Sequence, residues 1–457
     1  HMEILTSIFY FIIVIGILVF IHEFGHFMAA RLMKMRAEIF SFGMGPRLFG
    51  FNKINKFTFG KLKEDIELGN HTDYRVCAFP IGGFVKISGM IDESMDKEFL
   101  NKPPEPWEYR SRPVWQRMIV ITAGVIMNMV LAFIIFYGVT LYKGKTIIDT
   151  TQIGYVAKAS IADDAGLKPG DKILSINKSK TGTWDEVTTN IYLDHLGEPL
   201  TIKIQRNGVD TSIFIPKEKI QTLTEKSIGI SPDFMQPAIV DVMTGKPAES
   251  AGLKSGDIIT KYNGEEVKDV QRLIELIKNS TGKQSMIEWT RDGAHMSASV
   301  IPAADSAIGI QLGEKYTGPE KVIRYNVISA IPKSANDMYY FGIELFYKSI
   351  VKIIKGDIEF KKAIGGPIKI ANASAQSARG GFMSFITFVA LLSMSLAVIN
   401  ILPFPALDGG HFIILLVEGI FRKPVPAKVQ IALQYAGFII LLAFMAFVIY
   451  NDIISIR

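Results

Sequence analysis

Two imidazoles and a carboxylate stand close together in the stretch VFIHEFGHFMAA, residues 19–30. His22 and His26 are four residues apart, so on a helix they share one face, one turn from each other. Glu23 projects about 100° around such a helix from His22 and can reach the same site. Neutral imidazoles suit Zn2+, and the glutamate can take a proton from water that the ion activates, which is the logic of the H-E-x-x-H pattern. A catalytic zinc also needs a third protein ligand and an open position. The stretch NILPFPALDGGH, residues 400–411, supplies candidates. Asp408 is the expected third ligand. His411 competes for that role if the turn after Asp408 is helical, and otherwise stands beside the site. Asn400 lies two helical turns before Asp408; its amide can bind a substrate backbone or an oxyanion, or cap a helix. His71, His195 and His295 have no partner at ligand spacing and read as solvated.

The elements that must position these residues are apolar. Hydrophobic residues make up 49% of the 457, and four uncharged runs concentrate them: 4–21, 118–142, 380–407 and 429–451. Each meets the length needed to cross a hydrocarbon core of about 30 Å. The first run follows Glu3 and is longer than the apolar core of a signal peptide, so it reads as a span. Net charge is +6. The excess falls beside the runs, at Arg31, Lys34, Arg36, Arg110, Arg112, Arg117, Arg422, Lys423 and Lys428, which marks one cytoplasmic side. No basic cluster is interleaved with aromatics, so a nucleic-acid partner is not expected. Both termini then lie on the other side. The first and third spans run in the same direction, which brings residues 22–26 and Asp408 to one depth near the cytoplasmic face. Pro403 and Pro405 break the third run, and Gly409 and Gly410 permit close backbone approach. A broken helix is tolerated in a bilayer only where it lines a cavity or is buried in protein.

Between spans, residues 31–113 form a cytoplasmic loop. There Tyr74, Val76 and Ala78 alternate with Arg75 and Cys77, and a Pro/Gly stretch leads into residues 84–87, which reads as a hairpin. Cys77 is the one cysteine, read as a small buried hydrophobe, so no disulfide can form within the chain. Residues 143–379 are polar and hold a repeat: AGLKPGDKIL at 165–174 matches AGLKSGDIIT at 251–260, 86 residues later, and Ile228-Gly229-Ile230 is echoed by Ile308-Gly309-Ile310. An amphipathic helical pattern covers residues 332–355. It is expected on the membrane surface or under the second repeat.

HEFGH at the end of a first span, NILPFPALDGGH at the end of a later one and a tandem repeat between spans two and three together resemble the site-2 protease family over essentially the whole chain. The repeats resemble PDZ domains of the bacterial protease type. The resemblance implies a multi-domain membrane protein: four transmembrane helices forming a metalloprotease core, a membrane-associated β-hairpin, and two α+β PDZ domains outside the membrane. The expected order is residues 2–34 (first span), 35–113 (loop with hairpin), 114–142 (second span), 143–226 and 227–315 (PDZ domains), 316–380 (connector), 381–411 (third segment) and 428–452 (fourth span). It implies an intramembrane zinc endopeptidase with His22, His26 and Asp408 as ligands, Glu23 as general base and Asn400 binding substrate. Residues around Gly82 and Gly83 resemble the family's β-hairpin, and residues 40–45 its small glycine-containing loop. A peptide bond must be extended to be cut, and lipid offers its amides no partners. Strand addition to an exposed edge supplies them. The edge candidates are residues 74–78 and 84–87, which place Tyr74, Val76, Gly82, Gly83 and Phe84 at the substrate. The implied protein is a monomer in the bacterial inner membrane with periplasmic PDZ domains. It would cut single-span proteins such as an anti-sigma factor, or remnant signal peptides. The competing reading is a membrane-anchored PDZ scaffold with a structural zinc site.

Overall fold

The computed structural model describes residues 2–62, 68–91, 103–220, 227–243, 245–303, 307–318, 320–354 and 365–456. The chain divides into two compact units. The first comprises residues 1–143, 324–350 and 361–457, the second residues 144–323 and 351–360.

The first unit is built on long helices. Helix α1 is Met2–Leu32 and α2 is Val114–Lys143, while α3 is Phe382–Asn400, α4 is Asp408–Phe421 and α5 is Ala427–Ile456. All but α4 are long and apolar enough to cross a membrane. The shortest of these four, α3, has 19 residues, which at about 1.5 Å per residue matches the hydrocarbon core. The third segment, expected over 381–411 with its prolines breaking the helix, is two helices separated by a seven-residue break. Pro403 and Pro405 carry no amide to continue a helical ladder. The break satisfies itself with tight turns: Phe404 N donates to Leu402 O (2.7 Å) and Leu407 N to Phe404 O (3.1 Å). A Cβ on Gly409 would run into the Leu402 and Ile401 carbonyls, so only glycine lets α4 start this close to the break.

Strands β1 (Ala37–Asn52), β2 (Lys56–Phe59) and β3 (Asp73–Ile87) form one antiparallel sheet in the order β2-β1-β3. The expected hairpin within residues 74–87 is not formed by those residues pairing with each other. Each of Phe40, Ser41 and Phe42 has two partners on β3: Val85 and Tyr74, Phe84 and Arg75, Gly83 and Val76. The two arms of β3 therefore clasp the first half of β1. Residues 40–45, expected as a loop, lie inside that strand, with Gly43 and Gly45 at positive φ. Tyr74 is paired on both sides, to Phe40 and Phe51, and Val76 to Phe42 and Phe49, so residues 74–76 are interior to the sheet and offer no edge. The arm 83–87 has a strand partner on one side only among the described residues.

The connector is helical and has a neighbour that the sequence pattern did not name. Helix Val327–Tyr339 and the π-helical turn Tyr340–Glu344 pack on the membrane spans. Tyr137 of α2 donates to Val327 O (3.0 Å), Ser334 bonds Thr140, and the Phe136 and Phe341 rings stack. Among its described residues only the small ones are buried there, Ala330 and Ser334 against α2 and Gly342 against Met394 of α3, while Ile328, Ile331 and Tyr347 stay exposed. Farther on, the buried carboxylate of Asp452 at the end of α5 accepts from the amides of Gly366, Ile368 and Lys369, capping the helix Pro367–Arg379.

The second unit contains the two sequence repeats, each with its own core. Ile173, Ile176, Trp184 and Ile202 lie in one; Ile259, Tyr262, Leu273 and Trp289 lie in the other. The repeated aspartate now has a reason. Asp171 is clamped by Arg206 through two 2.7 Å bonds, and Asp257 by Arg291 through bonds of 2.6 and 2.7 Å. In each copy the same arginine also donates to the glycine carbonyl of the AGL turn, Gly166 or Gly252. The echoed Ile-Gly-Ile segments close the copies: Ala162 N donates to Ile228 O and Ala248 N to Ile308 O. Strand Ile230–Pro232 pairs with Ile153–Val156, so residues 228–232 complete the first copy. The boundary expected at 226/227 thus falls too early, because Ile228 is buried in the first core.

Burial alone would raise the Asp171 carboxyl, but the Arg206 bonds and the Lys168 amide outweigh it and hold the group below the usual carboxylate range. A depressed carboxyl stabilises the fold above its unfolded value near 4 and loses that contribution as pH falls through the lower folded value. Replacing Asp171 by Asn is expected to destabilise the first repeat by about 2 kcal/mol at neutral pH. The deficit should begin to shrink below about pH 4, where the unfolded carboxyl takes up its proton, and disappear once pH falls below the lower folded value. Hydrogen-exchange protection of residues 172–206 measures both.

Candidate metal centre

His22 and His26 sit on α1, both near its cytoplasmic end by the sequence reading, and Asp408 is the first residue of α4. His22 Nε2 lies 3.2 Å from Asp408 Oδ2, His26 Nε2 lies 3.5 Å from the same oxygen, and the two Nε2 atoms are 3.2 Å apart. Among the described residues this is the one group of three metal-ligating side chains whose donor atoms converge. Ligand atoms around a tetrahedral ion with bonds of about 2.0–2.1 Å stand about 3.4 Å from each other, so these separations fit a zinc-sized ion. Asp408 Oδ2 is buried and has no hydrogen-bond donor among the described residues. Two imidazole nitrogens and a bare carboxylate oxygen facing one point repel unless a cation or a proton lies between them. Chemistry and spacing both suit a divalent metal.

The neighbouring helix shapes this convergence. A Cβ on Gly124 of α2 would sit 2.8 Å from His22 Nε2 and would also overlap the His26 ring, so a glycine leaves the imidazoles their space. The His26 ring donates Nδ1–H to Val120 O at 2.8 Å, which leaves Nε2 as a lone pair in the neutral ring. His22 Nδ1 meets the Asn128 side-chain amide at 3.2 Å. Asn128 is fully buried, and its backbone oxygen accepts from Ser393 of α3 at 2.8 Å. Neither Gly124 nor Asn128 was flagged by motif. A signal existed: Asn128 is the one carboxamide in the uncharged run 118–142, and polar groups at membrane depth are functional by default.

The other expected residues fall as follows. Glu23 is half-buried on α1, adjacent in sequence to His22. A Cβ on Gly83 would lie 3.5 Å from Glu23 Cγ and 3.3 Å from Val19, so the open arm of β3 runs past the metal-binding turn of α1. Phe84, next along that arm, pairs with Ser41. Gly82 precedes the arm at φ +85°. Tyr74 and Val76 are held inside the sheet, away from any free edge; Tyr74 packs its ring against Phe27 and Phe40. Asn400 is the last residue of α3, half-buried, with no side-chain hydrogen bond to the described residues. His411 is outside the ligand cluster. It lines a cavity of about 130 Å³ with Pro403, Pro405 and Gln434, and a smaller polar one with Tyr109, Arg117 and Glu418. Of the remaining histidines, His295 is exposed, whereas His195 is half-buried and pairs with Glu198 at 2.9 Å.

Comparison with known proteins agrees with this chemistry. The profile of peptidase family M50 matches residues 10–444. The regulator of sigma-E protease of Escherichia coli strain K12 is 29% identical over 461 residues, covering 97% of each chain. A protein of Vibrio cholerae named a putative zinc metalloprotease is 28% identical, covering 98% of this chain and 99% of its own. Another so named, from Pasteurella multocida, is 28% identical over the full length of both.

Substituting Gly124 by Ala adds one methyl group in the space the imidazoles occupy while favouring helix formation in α2. Metal content of the purified variant is expected to fall at least tenfold, with helicity by circular dichroism unchanged.

Proposed function

The chain belongs to peptidase family M50 and is a membrane-embedded zinc metalloprotease of the site-2 type; from that premise we propose that His22, His26 and Asp408 hold the zinc and that Glu23 is the general base. The convergence of three donor atoms from two distant segments, at 3.2 to 3.5 Å, carries this reading. Held by these three residues, zinc would supply Lewis acidity toward the scissile carbonyl. Glu23 takes the proton from the attacking water and delivers it to the departing amine. Asn400, whose amide has no hydrogen-bond partner among the described residues, binds the substrate main chain at the mouth of the break. The open β3 arm, residues 83–87, holds the unwound substrate segment as an added strand beside Glu23, replacing the hydrogen bonds the helix gave up. Gly83 and Phe84 are the residues of that arm nearest the chemistry. Among the described residues three ligands converge, one short of the four that close a structural site, which favours catalysis over a scaffold.

The substrates of this reading are transmembrane segments of single-span proteins, such as an anti-sigma factor, and remnant signal peptides. The two repeats are PDZ domains on the periplasmic side of the inner membrane, opposite the basic flanks of the spans. They screen out substrates that still carry bulky external domains. The protein works as a monomer in a lipid bilayer.

Glu23→Gln is expected to slow cleavage of a membrane-spanning reporter about a thousandfold with zinc content unchanged; wild-type cleavage by that variant removes Glu23 from its role. In a second reporter assay, deleting residues 149–315 is expected to permit cleavage of a substrate with an intact external domain. Continued rejection of that substrate counts against the filter.

A further inference from the structure

A ligating imidazole needs its other nitrogen protonated and bonded to an acceptor, so that the lone pair faces the metal. His26 has this support in the Val120 carbonyl. Among the described residues His22 has one candidate, the Asn128 carboxamide at 3.2 Å from Nδ1. With its nitrogen toward the ring, Asn128 leaves Oδ1 buried without a donor, and forces the His22 proton onto Nε2, where it points at the other ligands. A half-turn of the carboxamide brings Oδ1 to Nδ1, a change that alters no heavy-atom packing. The geometry points to Asn128 as a positioning residue that accepts the Nδ1–H of His22 and thereby fixes Nε2 as the ligand atom. This inference rests on the assignment of His22 and Asp408 as ligands.

The surroundings make Asn128 suited to the task. It is 0% exposed, so no bulk water competes for Nδ1. Its backbone is gripped from α3 by the Ser393 hydroxyl. That bond ties the helix whose end leads into the Asp408 break to the residue that orients His22. The same span thus supports both imidazoles, through the main chain at Val120 and through a side chain at Asn128, eight residues apart on the face that Gly124 opens.

Full-length protein in detergent, titrated with zinc against a competing chelator, provides the test. Asn128→Leu is expected to weaken zinc affinity about 10- to 100-fold. Asn128→Asp, which keeps an acceptor, is expected to restore it to within a few-fold of wild type. Asp408→Asn serves as the control on the premise. If that variant retains wild-type affinity, the ligand assignment fails; if it loses affinity while Asn128→Leu does not, only the present inference fails. Should Asn128→Leu not fold, nitrogen-15 spectra of labelled histidines in the wild-type apoprotein decide, with the His22 signal identified through His22→Gln. Protonation of His22 at Nδ1 supports the inference, and protonation at Nε2 overturns it. Equal loss of affinity in the Leu and Asp variants overturns it as well.

Discussion

Three electron-rich atoms held within 3.5 Å of each other inside an apolar bundle are a constraint that everything else in the first unit answers to. In water such a cluster would be dispersed by hydration. Among membrane spans, where charge is poorly screened, it persists only if a cation balances it and if the surrounding helices prevent the side chains from turning away. The chain meets the second condition with backbone rather than bulk. Gly124 clears room, the Val120 carbonyl and the Asn128 amide hold the rings, and Gly409 lets the helix that starts at Asp408 begin hard against the break.

The break between α3 and α4 shows how polar backbone is accommodated at such depth. Its amides close short turns on carbonyls two to four residues back, and its two prolines have no amide to satisfy. The result is a stretch of non-helical chain that exposes few unmet donors yet displaces Asp408 from the axis of α3. Beside it, His411 opens onto cavities lined by Gln434 on one side and by Arg117 and Glu418 on the other. Arg117 and Glu418 belong to α2 and α4, which also carry Asn128 and Asp408, and Gln434 belongs to α5, so hydrophilic character is built into the bundle beside the site.

The second unit solves a different problem. Without disulfides, each repeat relies on a small aliphatic core and one buried carboxylate clamped by an arginine about 35 residues later. The bidentate geometry fixes the turn of the AGL motif against a distant strand, joining local and long-range structure in a single interaction. That both copies preserve the same bonds down to the glycine carbonyl explains why the motif recurs at domain spacing while much of the intervening sequence does not.

The positions of the four spans, the helical pairing of His22 with His26, the repeat and the interruption at Pro403 and Pro405 were legible in the chain, because each depends on local periodicity or on a residue with one dominant backbone effect. The partnership of Asp408 with the histidines was legible only through the parity of the spans. Strand order was not: the alternation at residues 74–78 looks the same whether the segment lies at an edge or in the interior, and β1 decides by inserting between the arms of β3. The connector and the first-repeat boundary likewise depended on a tertiary neighbour, Thr140 of α2 for Ser334 and the first core for Ile228. Asn128 is the sharpest case. Sequence alone marks it as a polar residue in an apolar run, and only the packing of α2 against α1 gives it an imidazole to hold, since a hydrogen bond across 106 residues has no signature in either segment by itself.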